Sequence, residues 1–318
     1  MSNDVFGAAR DLLHLQHDGL TRAQAHQAGL TDKAIRARLR TGRWQRLHTG
    51  VYAAFSGVPP RDAWLWAAVL RAGPSAVLSH QTAAELHGLL EPVPLIHVTV
   101  PSGRQVAHPD GVVLHYSGRL AHSRHPALAP PRTRIEDSVL DLFESARGVE
   151  EAVGLILRAS ASRRTTPDRI LASLRQRPKF KWRPALLQAL GAAAAGAHSL
   201  LEFRYFTRVE RAHGLPPVRR QNLVRRGGRS QYQDLSYEGF GLVIELDGCE
   251  AHPQWARWTD IRRDNATTVA GQRTLRYGWD DVTNHPCRTA LEVADALKER
   301  GWDGRLRRCG SACLVAAR

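Results

Sequence analysis

Gly239-Phe-Gly-Leu-Val-Ile-Glu-Leu-Asp-Gly-Cys-Glu-Ala-His252 decides how the C-terminal part of this chain is read. Gly241 to Leu246 is a short apolar run rich in β-branched residues, which predicts a buried strand. Glu245 interrupts the run near its end and Asp247 follows two residues later. Residues two apart on a strand share a face, so both carboxylates look into one space. Gly248 marks a turn, and His252 lies just beyond it. A second strand candidate, Tyr232 to Tyr237, carries Asp234. Acids converging from neighbouring strands are costly unless a cation neutralises them. Carboxylate oxygen is the ligand that hard Mg²⁺ prefers.

Asp234, a spacer and Ile244-Glu245-Leu246-Asp247 together resemble the core of the PD-(D/E)XK nucleases. More narrowly, they resemble small nuclease-like domains related to very-short-patch repair endonucleases, which read (Val/Ile)-Glu-x-Asp-Gly followed by a His. The resemblance continues through Asp260, Arg263 and Asp264 to Thr274-Leu275-Arg276-Tyr277 and covers roughly residues 199–298. It departs at Gln233, where the family name has proline, and at Asp247, where it has lysine. The resemblance implies a metal-dependent endonuclease using Mg²⁺ or Mn²⁺. Asp234 and Glu245 would bind the ion, the Leu246 carbonyl could add a ligand, and Glu202 on the first helix would complete the site. The other reading of Glu202 is a partner for the helix dipole. Asp247 would be a further ligand or the general base. His252 would be a general acid or base, or hold a water. Arg263 lies on the next helix and Arg276 on the next strand, where it could clamp a phosphate.

The chain has 318 residues, enough for two or three domains with their own cores, and 43% hydrophobic content is ordinary for a globular protein. No apolar run is long enough to span a membrane, and the N-terminus shows no signal-peptide pattern. The four cysteines are Cys249, Cys287, Cys309 and Cys313. No His pair lies near Cys309 and Cys313 at zinc spacing. A reduced, cytoplasmic protein is the plain reading, with a metal knuckle at the tail as the lesser alternative. Net charge is +15, and residues 161–230 alone hold 16 basic against 3 acidic residues. A basic surface beside an acidic metal site suits a phosphate backbone. Alternatively, the window is a solvated helical face.

At the other end, Val5, Leu12, Leu13 and Leu15 predict a helix over residues 4–17. Thr21 caps a short helix to Ala28, closed by Gly29. Thr31 or Asp32 caps a basic helix to Arg40, closed by Gly42. This is the rhythm of a helix-turn-helix, and Trp44 to Ala54 adds a small β-wing around Thr49-Gly50. On the basic helix Lys33, Arg36 and Arg40 share a face, while Ile35 and Leu39 face the core. Trp44-x-x-Leu-x-x-Gly-Val-Tyr52 closely resembles the N-terminal winged helix of AbiEi-type antitoxins. That resemblance implies DNA binding by Lys33, Arg36, Arg38, Arg40 and Arg43.

Pro59-Pro60 predicts a boundary. Beyond it come helices over 62–71, 79–88 and 135–146 and strands over 95–100 and 112–116, a block that also resembles the middle region of AbiEi-like proteins. His80 and His87 share a helical face, and without acids or cysteines nearby they read as packing or surface residues. Three amphipathic helices follow, over 149–159, 167–176 and 184–195. Between them Pro178-Lys-Phe-Lys-Trp-Arg183 reads either as a nucleic-acid contact or as a loop with two anchored aromatics. Further expectations are a helix over 200–213 with mainly basic outward residues, a strand over 218–224, a helix over 260–271, a strand over 273–277 and a closing helix over 281–300.

The expected fold class is multidomain α/β. Residues 1–58 would form a winged helix-turn-helix, 59–147 a small α+β middle domain and 148–197 a basic helical linker. Residues 198–318 would form a restriction-endonuclease-like domain with a central mixed sheet. The expected function is DNA binding with metal-dependent phosphodiester hydrolysis. The alternative is an antitoxin-like transcriptional regulator with an inert nuclease fold, for which a toxin partner is expected.

Overall fold

Thr21 accepts a hydrogen bond from the Gln24 amide while the Gln24 side chain accepts one from the Thr21 amide, a closed capping box. In the computed structural model of the chain, which describes residues 10–226, 229–247 and 271–315, this box starts the second of three short N-terminal helices. These are α1 (Arg10–Leu15), α2 (Arg22–Gln27) and α3 (Asp32–Arg40). Thr31, not Asp32, caps α3. Strands β1 (Gly19–Thr21), β2 (Gln45–His48) and β3 (Val51–Ala53) form an antiparallel sheet in the order β1-β3-β2. The β2–β3 turn is Thr49-Gly50. Gly50 sits at φ +77°, a conformation other residues rarely adopt. Leu13, Leu20, Ala25, Leu30, Ile35, Trp44 and Tyr52 make the core of this region.

Next come α4 (Arg61–Ala72), β4 (Val77–Leu78), α5 (His80–Leu86), β5 (Ile96–Pro101), β6 (Val112–Ser117), α6 (Leu120–Ser123) and α7 (Ile135–Ser145). The second sheet runs β4-β5-β6, with β5 and β6 parallel. β4 was not expected, because two residues are too few to show a period of two. Helices α8 (Val149–Ala161), α9 (Pro167–Arg175) and α10 (Arg183–Ala194) fall close to the expected positions.

The Ser199-capped helix is not uniform. Leu200–Arg204 is α-helical, Tyr205–Glu210 is a π-helical turn, and Arg211–His213 resumes the α-helix. Strands β7 (Arg219–Arg226), β8 (Arg229–Tyr237), β9 (Leu242–Asp247) and β10 (Arg273–Gly278) form a mixed sheet in the order β10-β9-β8-β7. β9 is parallel to β10 and antiparallel to β8. Leu235, Leu242 and Ile244 pack with Tyr205, Val209, Val293 and Leu297 in its core. The expected closing helix over 281–300 is two helices, Trp279–Thr283 and Pro286–Lys298. Pro286 causes the break, since the residue before a proline is pushed out of the helical region. The helix expected from 260 lies outside the described residues.

The chain divides into two compact units. One comprises Met1–Ala146 with Ala172–Phe180, the other Arg147–Leu171 with Lys181–Arg318.

Candidate nucleic-acid interface and acidic strand

Six basic residues, Lys33, Arg36, Arg38, Arg40, Arg43 and Arg46, lie within a stretch that holds no acid from residue 33 to residue 61. Ile35 is buried and Leu39 packs against the same core, which turns the opposite side of α3 outward. Lys33, Arg36, Arg40 and Arg43 are all exposed. Among the described residues none of the four pairs with an acid. Arg38 is different. It donates to the Ala34 carbonyl and lies 5.6 Å over the Trp44 ring, so it packs within the helix-and-sheet surface. Asp32, the nearest acid, is held by Arg22 and by His26 at 2.9 Å. Charge on this face is therefore uncompensated, as a phosphate backbone requires.

The basic window at 161–230 is another matter, because several of its cations are spent internally. Arg177 is 2% exposed and pairs with Asp137 at 2.9 Å, Asp141 at 2.8 Å and Glu144 at 3.3 Å. Burial, opposed by Arg177, leaves the Asp141 carboxyl pushed up to about 6. Arg204, on the helix expected to carry mainly basic outward residues, is buried. It pairs with Glu150, donates to Thr283 and stacks 4.1 Å over Trp279. Arg220 pairs with Glu210, whose carboxyl burial raises to about 7. Phe180 packs on Phe143 with ring centroids 5.7 Å apart, and Lys181 lies over Trp182. One aromatic of this loop, Phe180, is thus anchored.

On β9, Leu242, Ile244 and Leu246 face the core, which puts Glu245 and Asp247 on the other face. Asp247 is exposed. Glu245 pairs with Arg276 on β10 at 3.0 Å, and the two residues are register partners. The cation that offsets this half-buried acid is thus an arginine of the same sheet. Asp234 lies on β8, one residue before Leu235, whose register partner is Ile244. Its side chain lies outside the described residues, as do His252 and Arg263 altogether. Glu202 is buried and works as a cap. Its two oxygens accept from the His198 amide and the Ser199 hydroxyl, each at 3.1 Å, and Ser199 accepts from the Glu202 amide. As arranged, Glu202 and Glu245 are both bonded to the protein itself. The described acids do not form an open Mg²⁺ site, so no metal-dependent step follows from them.

The structure gathers two groups of clustered donor atoms whose full membership the sequence did not show, although it offered His80 as a packing residue and a metal knuckle at Cys309 and Cys313 as the lesser alternative. His80, His97 and His115 come from α5, β5 and β6. The rings of His80 and His115 stack with centroids 3.6 Å apart and planes within 14°, and His97 Nδ1 meets His115 Nε2 at 2.9 Å. His80 Nδ1 meets Ser79 Oγ, which also accepts from Thr99. Ring nitrogens present their lone pairs in the ring plane, so parallel stacked rings do not converge on one ion. This is a hydrogen-bonded stack of neutral imidazoles. Burial, then the neighbouring histidines, lowers His80 to about 2, and burial with His97 lowers His115 to about 4. A signal was present. His97 and His115 each stand within an expected strand, on one face of adjacent parallel strands. The second group is His213, Cys287, Cys309 and Cys313.

The N-terminal elements and their outward cations define a small basic module built around α3. Residues 8–54 match a family model described as "Transcriptional regulator, AbiEi antitoxin", and the match stops at residue 54. None of the curated proteins matches the chain. Among solved structures, the RV2827C protein from Mycobacterium tuberculosis is similar over 62% of this chain and 79% of its own, at 17% identity and a TM-score of 0.39. That score is too low to establish a shared fold. No helix among the described residues is long and apolar enough to cross a membrane.

Proposed function

We propose that the chain is a DNA-binding transcriptional regulator of the AbiEi antitoxin type, reading DNA through an N-terminal winged helix. The observation that carries this is the α3 face. Lys33, Arg36, Arg40 and Arg43 stand exposed and without acidic partners, within the stretch that matches the regulator family. In this reading α3 enters the major groove, the β2–β3 hairpin is the wing, and Arg38 with Trp44 sets the pitch of the helix. The antitoxin likeness adds a toxin protein as a second partner.

The test starts with selection of duplexes from a random library by the full chain. Affinity for the selected site is then measured against salt. Each alanine substitution at Lys33, Arg36, Arg40 or Arg43 that removes a phosphate contact is expected to flatten the salt slope by about 0.9. Absence of any enriched sequence, with unchanged affinity in the fourfold variant, refutes the reading.

A second reading gives the C-terminal unit Mg²⁺- or Mn²⁺-dependent phosphodiester hydrolysis. What favours it is the pairing of Glu245 and Asp247 on one face of a strand flanked by a parallel neighbour. It requires Glu245 to exchange Arg276 for the ion. Plasmid cleavage by wild type, lost in Asp234→Asn and Glu245→Gln, would support it. DNA binding without cleavage by all three leaves the C-terminal fold as an inert platform.

A further inference from the structure

His213 ends the π-interrupted helix and is fully buried. Its Nδ1 donates to the Val209 carbonyl at 3.1 Å, which leaves Nε2 as an acceptor. Among the described residues that Nε2 has no partner with hydrogen-bond geometry, and the Cys313 thiol lies close to it. A buried, unpaired ring nitrogen is costly unless something accepts its lone pair. Three thiols surround it. Cys287 stands in the first turn of the helix Pro286–Lys298, and Cys309 and Cys313 lie on the tail. The four donor atoms all lie within 4.8 Å of one another, and the sulfurs of Cys287 and Cys309 are 3.6 Å apart. In a tetrahedral zinc site, bond lengths of about 2.0 to 2.3 Å put the ligand atoms roughly 3.5 to 3.8 Å apart.

We propose that these residues form a Cys₃His site for Zn²⁺ that clamps the C-terminal tail to its unit. The donors are the soft thiolates and imidazole that select zinc over Mg²⁺. The Val209 carbonyl fixes the histidine tautomer, as an outer partner does in zinc sites. Four protein ligands leave no open position, so the role is structural. On binding, each of the three thiols gives up its proton to solvent, and the ion takes three sulfurs and Nε2. The tail needs such a clamp. Beyond Lys298 the described residues form no further helix or strand. Trp302 and Leu306 pack on the core, and the Arg307 amide donates to the His213 carbonyl at 2.9 Å. The following turn then brings Cys309 and Cys313 back to His213.

Metal analysis of the full chain, purified reduced and without chelator and then supplied with Zn²⁺, tests this. About one zinc per chain is expected in wild type. Cys309→Ser and Cys313→Ser, both on the tail and not in the core, should each lose it, while Cys249→Ser keeps it. Co²⁺ in place of zinc should give the tetrahedral ligand-field bands and thiolate charge transfer. Chelator should lower the melting temperature of wild type but not of the two tail variants. Three results overturn the proposal: zinc absent while the thiols titrate as free, zinc retained in Cys309→Ser, or a Cys287–Cys309 disulfide in freshly isolated chain.

Discussion

Acidification from about pH 7 to about pH 5 is expected to cost roughly 4 kcal/mol through the His80–His97–His115 stack, an amount that buried acids elsewhere in the chain largely offset. Each imidazole in the stack is held below its ordinary value of 6.5, so the unfolded chain takes up protons before the folded one does. Stability is therefore complete above about pH 6.5 and is lost as pH falls below it. His80, held at about 2, and His115, held at about 4, each lose about 2 kcal/mol over that interval. Asp141 works in the other direction. Its carboxyl sits at about 6 and that of Glu210 at about 7, so the folded form gains protons the unfolded chain lacks and returns about 1 and about 2 kcal/mol respectively. These returns offset most of what the two histidines lose, and His97, His48 and His87, all lowered by burial, add to the loss. The assay is urea unfolding of the full chain at both pH values, comparing wild type with the double variant His80→Asn and His115→Gln. The variant carries no such protonation. Over the same interval wild type should lose roughly 4 kcal/mol relative to the variant. An equal change with pH in the two proteins would refute the argument that these rings are packed neutral.

Other expectations follow from single contacts. Arg177→Met leaves Asp137 and Asp141 buried without their counter-charge and should lower stability by about 3 to 5 kcal/mol, read from the shift in urea midpoint at neutral pH. Less than about 1 kcal/mol would mean that these acids are solvated. Thr21→Ala opens the capping box of α2 and should cost about 1 kcal/mol, with the salt slope of DNA binding unchanged. A changed slope would place Thr21 on the DNA itself.

Reading order along the chain explains which parts were legible. Thr21, Gly29, Thr31 and Gly42 are local signals, acting over three or four residues, and the N-terminal helices fall where these residues put them. Strands β5 and β6 announce themselves by alternation and β9 by an apolar run, each over five or six residues. The two-residue strand β4 and the π-helical turn at Tyr205–Glu210 have no local signature, because tertiary packing alone sets them. The split at Pro286 was legible from the proline and was overlooked in favour of the longer period.

Charge was the least reliable guide, for a physical reason. A count of arginines carries no information on burial: Arg177 and Arg204 are buried, and the Arg220 side chain is buried in its ion pair. Each exists there because one or more acids distant in sequence reach it: Asp137 and Asp141, Glu150, and Glu210. The same argument applies to Glu245. An acid ending an apolar run does need an offset, but sequence cannot say whether the offset is a metal ion or an arginine one strand away. Register decides it, and register places Arg276 opposite Glu245. It also applies in reverse to the cysteines. Zinc spacing is sought among near neighbours, and Cys309 and Cys313 taken alone offer only two ligands. His213 and Cys287 join them through the helix end, the broken closing helix and the returning tail. The buried, unpartnered Nε2 of His213 then carries the weight that no local motif supplied.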